Sequence, residues 1–290
     1  MARHSDKAQL ELVTPAVPWV DLPASPGPGR DEVHVWYANL DCLARCVENL
    51  HHLLSSDEIA RAERFHFARD RTSFITARGL LRTLLGRYLS LPPGQVRFQY
   101  YPHGKPALDP DIANADLRFN LAHSHGLAVY AFGRGRELGV DVEQIRPEMA
   151  KERIAERFFS PVEVAALQAL PLAVREEAFF LCWTRKEAYL KATGRGLSLR
   201  LDVFDVSVAP DAPAALLAAR HDPHEVDHWT LHTLRPAQGY VGALAVEGHG
   251  WTLWCGTVPD YLEWFRTGAK QATVGEPGTS VPGGSQPSGD

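Results

Sequence analysis

Three carboxylates and one lysine stand at spacings that suit metal-assisted phosphate chemistry. In Leu138-Gly-Val-Asp-Val-Glu143, alternation along an extended strand sends Val140 and Val142 to one face and Asp141 and Glu143 to the other. At a rise of ~3.3 Å per residue the two carboxylates lie roughly 7 Å apart, close enough to share one hard cation. About forty residues later, Phe180-Leu-Cys-Trp-Thr-Arg-Lys-Glu-Ala-Tyr-Leu-Lys191 reads as a helix. It places Trp183, Glu187 and Lys191 at successive i, i+4 positions. Lys186 points off that stripe by about 100°, which makes Lys191 the lysine for phosphate. Asp141, Glu143 and Glu187 with open positions fit Mg²⁺ held over a phosphate-bearing substrate. Taken singly, each part has a plain alternative: a surface Glu–Lys helix pair, and a solvated acidic strand end. The residues around them decide.

The elements that must position these groups follow from periodicity and punctuation. Val33 to Ala38 alternates as a strand. Ser55 with Glu58 makes a capping box opening a helix to about Phe67, and Asp70 is expected to cap a longer one that Pro92 and Pro93 stop. Val96–Tyr100, Leu117–Leu121 and Leu127–Phe132 read as strands, as does the segment ending at Glu143. Helices are expected over 148–158, 161–169 and 174–193, then strands near 201–208, 228–234, 240–246 and 251–257. The plan of strand, helices and a run of strands thus occurs twice, without a repeat of fixed period. The expected organisation is a flexible lead-in at 1–30, an α+β subdomain at 31–133, a second at 134–267 and a disordered tail at 268–290.

The chain has 290 residues, 45% of them apolar, and a net charge of −5, the profile of an ordinary globular protein. No run approaches the ~18 apolar residues of a membrane span. The opening Met-Ala-Arg-His-Ser-Asp lacks an apolar signal core, and Cys42, Cys46, Cys182 and Cys255 form no CxxC pair. These features point to free thiols in a reducing cytoplasm and to no membrane partner. Between Arg61 and Lys105 nine basic residues face two acidic ones, which suits a polyanionic ligand or an acidic protein surface. A sequence pI of about 6.2 and the lack of aromatic-basic motifs argue against nucleic acid. His123 and His125 have the spacing of a zinc pair, but no third ligand stands at suitable spacing.

Four ordered motifs carry a family resemblance: Gly104-Lys-Pro106, Phe119-Asn-Leu-Ala-His-Ser124, Gly139-Val-Asp-Val-Glu143 and Trp183-Thr-Arg-Lys-Glu-Ala-Tyr-Leu-Lys-Ala192. Spanning about residues 60 to 197, they resemble 4′-phosphopantetheinyl transferases. The length resembles the large two-domain Sfp-type members rather than the short trimeric synthases that serve fatty-acid carriers. Ala122 stands where many relatives have Ser, which puts one cofactor hydrogen bond in doubt. The resemblance implies a pseudo-twofold pair of α+β subdomains with coenzyme A between them. It also implies a monomer acting on apo acyl or peptidyl carrier proteins, with Mg²⁺ on Asp141, Glu143 and Glu187. Lys105 in its Gly104–Pro106 turn and His123 are expected on the phosphates of coenzyme A, with His103 and Asn120 beside them. Arg61 and Arg69 match helix-borne basic positions facing the nucleotide end, while Arg78 and Arg82 are expected to serve the carrier-protein surface. Glu187 is the expected base for the carrier serine, and Lys191 steadies the pyrophosphate.

Two other functions compete. A Mg²⁺-dependent phosphohydrolase also needs clustered carboxylates and a lysine, but the chain has no N-terminal DxD and no HD metal pair. A non-catalytic coenzyme A or carrier-protein binding module would tolerate loss of a metal carboxylate, and all three are present.

Overall fold

The computed structural model describes residues 27–112, 116–146 and 151–258. Most of the expected lead-in, the expected tail and the start of the helix placed at 148 lie outside the described residues. The fold is α+β.

Strand β1 (Glu32–Asn39) has six consecutive buried residues at its centre. Asn39 then caps α1 (Leu40–Leu43), its side chain accepting the Cys42 N–H at 3.0 Å. Helix α2 (Val47–His51) and helix α3 (Ser56–Glu63) follow, the latter opened by the Ser55/Glu58 capping box. Helix α4 (Ala68–Leu89) starts three residues earlier than expected. Phe67 is its N-cap, and Asp70 lies in the first turn, where its charge faces the positive end of the helix dipole. Ser90 leaves the helix in left-handed geometry ahead of the prolines.

Glu58 does more than cap. Its carboxylate takes the Nε of both Arg78 and Arg82, the latter at 2.6 Å, in a site where all three residues are buried. Arg82 also donates to the carbonyl of Val96 at 2.8 Å and to Ser55 Oγ at 3.0 Å. Arg78 and Arg82 therefore hold α3, α4 and the following loop together and do not form a carrier-protein surface. A buried guanidinium needs such partners. With Val96 turned to Arg82, strand β2 covers only Phe98–Tyr100, and it pairs with β3 (Pro106–Leu108) around the Gly104 turn.

Strands β4 (Leu117–Ser124) and β5 (Leu127–Arg134) form a hairpin whose two turn residues, His125 and Gly126, both have positive φ, as a tight primed turn requires. Next come β6 (Leu138–Gln144), α5 (Lys151–Phe158), α6 (Pro161–Ala169) and α7 (Leu172–Thr193). The remaining elements are β7 (Phe204–Val206), β8 (Leu216–Ala219), α8 (Glu225–His228), β9 (Trp229–Leu234), β10 (Tyr240–Glu247) and β11 (Thr252–Thr257). The strand expected at 201–208 is shortened because the carbonyls of Leu201 and Phe204 each accept from the buried Lys186 ammonium at 2.7 Å.

Two larger sheets result, ordered β11-β1-β5-β4 and β6-β10-β9. Most of the pairing divides near residue 134, but β11 runs parallel to β1 and so joins the sheet of the first half. Its backbone groups are satisfied there, not in the second half where the sequence plan placed it. The β6–β10 ladder has two apolar faces. Val140, Val142, Leu244 and Val246 pack with β1 and β5, whereas Ala243 and Ala245 pack with α7. Asp141 pairs with Ala243 and Gly139 with Ala245, so the small residues and the acidic residues share the face that α7 covers.

Candidate active site

Helix α7 reaches β6 because of Gly139. A Cβ on this residue would overlap the Ala188 carbonyl oxygen and the Ala192 amide nitrogen, so helix and strand backbones meet without a side chain between them. This close approach brings Lys191 to Asp141. The Lys191 ammonium donates to Asp141 Oδ1 at 2.6 Å and to the Val140 carbonyl at 3.3 Å. Asp141 is 5% exposed, yet its second oxygen has no hydrogen-bond partner.

Glu143, two residues on, is held by Ser124, whose hydroxyl donates to Oε2 at 2.8 Å and accepts the Gln144 N–H at 3.3 Å. Glu187 sits one turn before Lys191 and is half-buried. All three carboxyls are shifted above their ordinary pKa. For Asp141 the cause is burial, with Lys191 opposing; for Glu143 it is burial and then Asp141. For Glu187 it is burial, then Asp141 and Glu143, against Lys191. The charge of Asp141 thus acts on both glutamates, and that of Glu143 on Glu187, in a partly desolvated site. Among the described residues no three acidic, imidazole or thiol groups are gathered into a ready-made metal cage: Lys191 stands on Asp141, and Glu143 is turned to Ser124. The donor set nevertheless fits a hard cation, because it offers an unpartnered buried carboxylate oxygen flanked by two acids of raised pKa.

A basic rim borders the acids. Burial lowers the His123 pKa, and the charges of Lys191 and Arg61 add to that, with Asp70 opposing. Arg61 lies over the Phe74 ring at 5.4 Å from its centre. Arg69 acts electrostatically on His125 and Tyr240. Both arginines are exposed, so α3 and α4 present them around the end of the β4–β5 hairpin. His103 and Gly104 form an exposed turn, and the His103 Cβ packs against Gly196 just beyond α7.

Two expected phosphate or cofactor contacts are used by the protein itself. Asn120 is buried and its Oδ1 accepts the Val140 N–H at 2.9 Å, tying β4 to β6. Lys105 donates to Glu137 Oε2, the Leu138 carbonyl and the Ala192 carbonyl at 3.0–3.2 Å. An ammonium has three protons to donate, so none of them is left for phosphate in this geometry. Trp183, the first residue of the stripe, packs among Phe158, Phe159 and Phe179. Lys186 is fully buried and paired with Glu163 at 2.8 Å, which leaves Lys191 as the site lysine on this helix.

Sequence reasoning passed over Ser124, Gly139 and Glu137. Ser124 closed a motif already singled out, and Gly139 was the one residue of its strand lacking a side chain. Both signals were visible; Glu137 had none.

Comparison with known proteins identifies the family. Residues 137–245 match the family model of the 4′-phosphopantetheinyl transferase superfamily, and residues 43–133 match that of the 4′-phosphopantetheinyl transferase N-terminal region. The chain is 42% identical to the 4′-phosphopantetheinyl transferase HetI of Nostoc sp. over 233 residues, 80% of this chain and 95% of that protein. It is 31% identical to the 4′-phosphopantetheinyl transferase Sfp of Bacillus subtilis over 60% of this chain and 78% of the relative. Among solved structures, the Thermotoga maritima holo-[acyl-carrier-protein] synthase aligns with 39% of this chain and 62% of its own at 21% identity and a TM-score of 0.32. Two family models, placed end to end over the β4–β5 hairpin, β6 and α7, and a relative matched over nearly its whole length lead to one conclusion: the chain belongs to the 4′-phosphopantetheinyl transferase superfamily.

Proposed function

We propose that this protein transfers the 4′-phosphopantetheine group of coenzyme A to a serine of an apo acyl or peptidyl carrier protein, with Mg²⁺, releasing 3′,5′-ADP. One observation carries the reading: the buried, unpartnered Asp141 oxygen beside two glutamates whose pKa its charge raises, with a basic rim alongside. Asp141, Glu143 and Glu187 would hold Mg²⁺, whose chemistry when bound is to neutralise charge on the pyrophosphate oxygens.

The reacting bonds are simple. The serine Oγ forms a bond to the β-phosphorus, the bond from that phosphorus to the bridging oxygen breaks, and 3′,5′-ADP leaves with the bridging oxygen. Glu187 takes the serine proton, directly or through one water. Its raised pKa makes it a better base than an ordinary carboxylate. Lys191 supplies a fixed positive charge beside the pyrophosphate. His123, Arg61 and Arg69 bind the remaining phosphate charge, and the exposed turn at His103 and Gly104 borders the nucleotide end.

Incubation with coenzyme A, Mg²⁺ and an apo carrier protein, followed by weighing the carrier, tests this. A mass gain equal to phosphopantetheine is the expected result. Release of free phosphate without a change in the carrier would identify a phosphohydrolase, and binding with neither product a non-catalytic module.

A further inference from the structure

Lys105 lies in the turn between β2 and β3, far in sequence from both catalytic elements, yet its ammonium ends between them. Its three acceptors are Glu137 Oε2 at 3.0 Å, the Leu138 carbonyl at 3.2 Å and the Ala192 carbonyl at 3.1 Å. Leu138 opens β6 three residues before Asp141, and Ala192 follows Lys191 in the last turn of α7. Carbonyls in a last helical turn lack intrahelical partners and carry the negative end of the helix dipole, so a cation bridging to one is well placed. The side chain is 10% exposed, and its stem runs past Gly194, the C-cap of α7. The counter-charge is itself anchored. Glu137 Oε1 takes the Arg118 Nε of β4 at 2.9 Å, and the Glu137 N–H donates to Glu247 of β10 at 2.9 Å. The bridge adjoins the point where Gly139 lets the two backbones touch.

We propose that Lys105 is a positioning residue, pinning the start of β6 to the end of α7 and so setting the register of Asp141 against Lys191 and Glu187, instead of binding a coenzyme A phosphate. The assignment rests on the transferase reading above. Close approach through Gly139 fixes how near helix and strand lie but does not stop one sliding along the other. A bridge of one ion pair and two carbonyl hydrogen bonds at the crossing does. Glu137 belongs to the same device as the counter-ion that makes a buried ammonium tolerable there.

The test uses Lys105→Met, which keeps the stem and removes the charge, and Glu137→Gln, which removes the counter-ion without touching the turn. His123→Ala serves as the comparison for a residue assigned to coenzyme A. With an apo carrier protein, both pin variants are expected to lose kcat by about 10–100-fold, the scale of a small misplacement of catalytic groups. They should need more Mg²⁺ for half-activation and keep the KM for coenzyme A within about threefold, a change too small for a lost charge-assisted contact. His123→Ala should instead raise that KM. Amide hydrogen exchange supplies a readout that does not depend on turnover, and it should accelerate in both pin variants over 137–144 and 188–196 while α4 stays protected. If Lys105→Met raises the KM for coenzyme A with kcat intact, Lys105 is a phosphate ligand and the proposal is wrong. Unchanged local exchange, or faster local exchange with wild-type kcat, overturns it equally. A wild-type protein that transfers nothing refutes the transferase reading instead, and the exchange experiment then still decides whether the pin exists.

Discussion

Gly139 of β6 faces the carbonyl of Ala188 on α7 with no room between them for a methyl group. The atoms that a Cβ would meet are helix backbone, which cannot swing aside as a side chain would. Gly139→Ala must therefore push α7 off the strand. We expect a loss of about 1–3 kcal/mol in stability, the usual cost of overpacking. Because the displaced helix carries Glu187 and Lys191, turnover should fall by far more than the lost folded fraction. Urea unfolding together with the transfer assay on the folded protein measures both. A variant with wild-type kcat would show that the contact does not set the site.

Asp141→Ala and Glu143→Ala should each abolish or strongly reduce transfer through weakened Mg²⁺ binding while the fold survives. The two variants differ in what they leave behind. Removing Asp141 leaves the Lys191 ammonium without its 2.6 Å partner, and removing Glu143 takes one partner from the Ser124 hydroxyl, which keeps the Gln144 N–H and lies 3.0 Å from His125 Nδ1. Asp141→Ala should accordingly cost more stability. Mg²⁺ titrations of activity decide the metal role, and normal turnover with unchanged Mg²⁺ dependence in both variants would remove them from it.

Glu187→Gln preserves size and one oxygen but removes the negative charge and the ability to accept a proton. Carrier modification should drop by several orders of magnitude while coenzyme A still binds at high Mg²⁺. The pH profile adds a second check. Burial and the neighbouring acids hold the Glu187 carboxyl above its ordinary range, so it loses its proton later than a free Glu as pH rises. The acid limb of turnover should climb through a range above that of an ordinary carboxylate. A near wild-type rate in Glu187→Gln would remove Glu187 from the proton transfer and from the metal site.

His34 is 1% exposed in the middle of the sheet. The Trp36 Nε1–H donates to the Tyr88 hydroxyl at 2.7 Å, and that hydroxyl lies 3.0 Å from His34 Nδ1. The chain of donors suits a neutral ring with its proton on Nε2. Burial pushes the His34 pKa down to about 4 from 6.5, against the opposing charge of Glu32. Between those values the unfolded chain binds more protons than the folded one. The stability from His34 is therefore fully present above pH 6.5 and is lost as pH falls toward 4, at up to ~1.4 kcal/mol per pH unit. His34→Gln should flatten that slope in denaturant unfolding measured from pH 7 to 5. An unchanged slope would place the acid sensitivity elsewhere.

The sequence by itself determined the chemistry-bearing groups. Period-two alternation put Asp141 and Glu143 on the face opposite Val140 and Val142, and helical periodicity aligned Glu187 with Lys191 four residues on. These are local consequences of backbone geometry, so they were legible without a fold, as were the Ser55/Glu58 capping box and most of the strands. What the tertiary structure decided is which charged groups already have partners. Arg78 and Arg82 read as surface arginines until Glu58 closes on them, and Lys105 and Asn120 read as ligands until Glu137, Ala192 and Val140 take up their polar atoms. The pairing of β11 with β1 joins residues more than two hundred positions apart, and no local pattern specifies such a partner. Local periodicity tells which way a side chain points. Whether it ends in solvent, on a ligand or on a distant carbonyl depends on long-range packing, because a buried charge settles on whatever partner the assembled fold brings within reach.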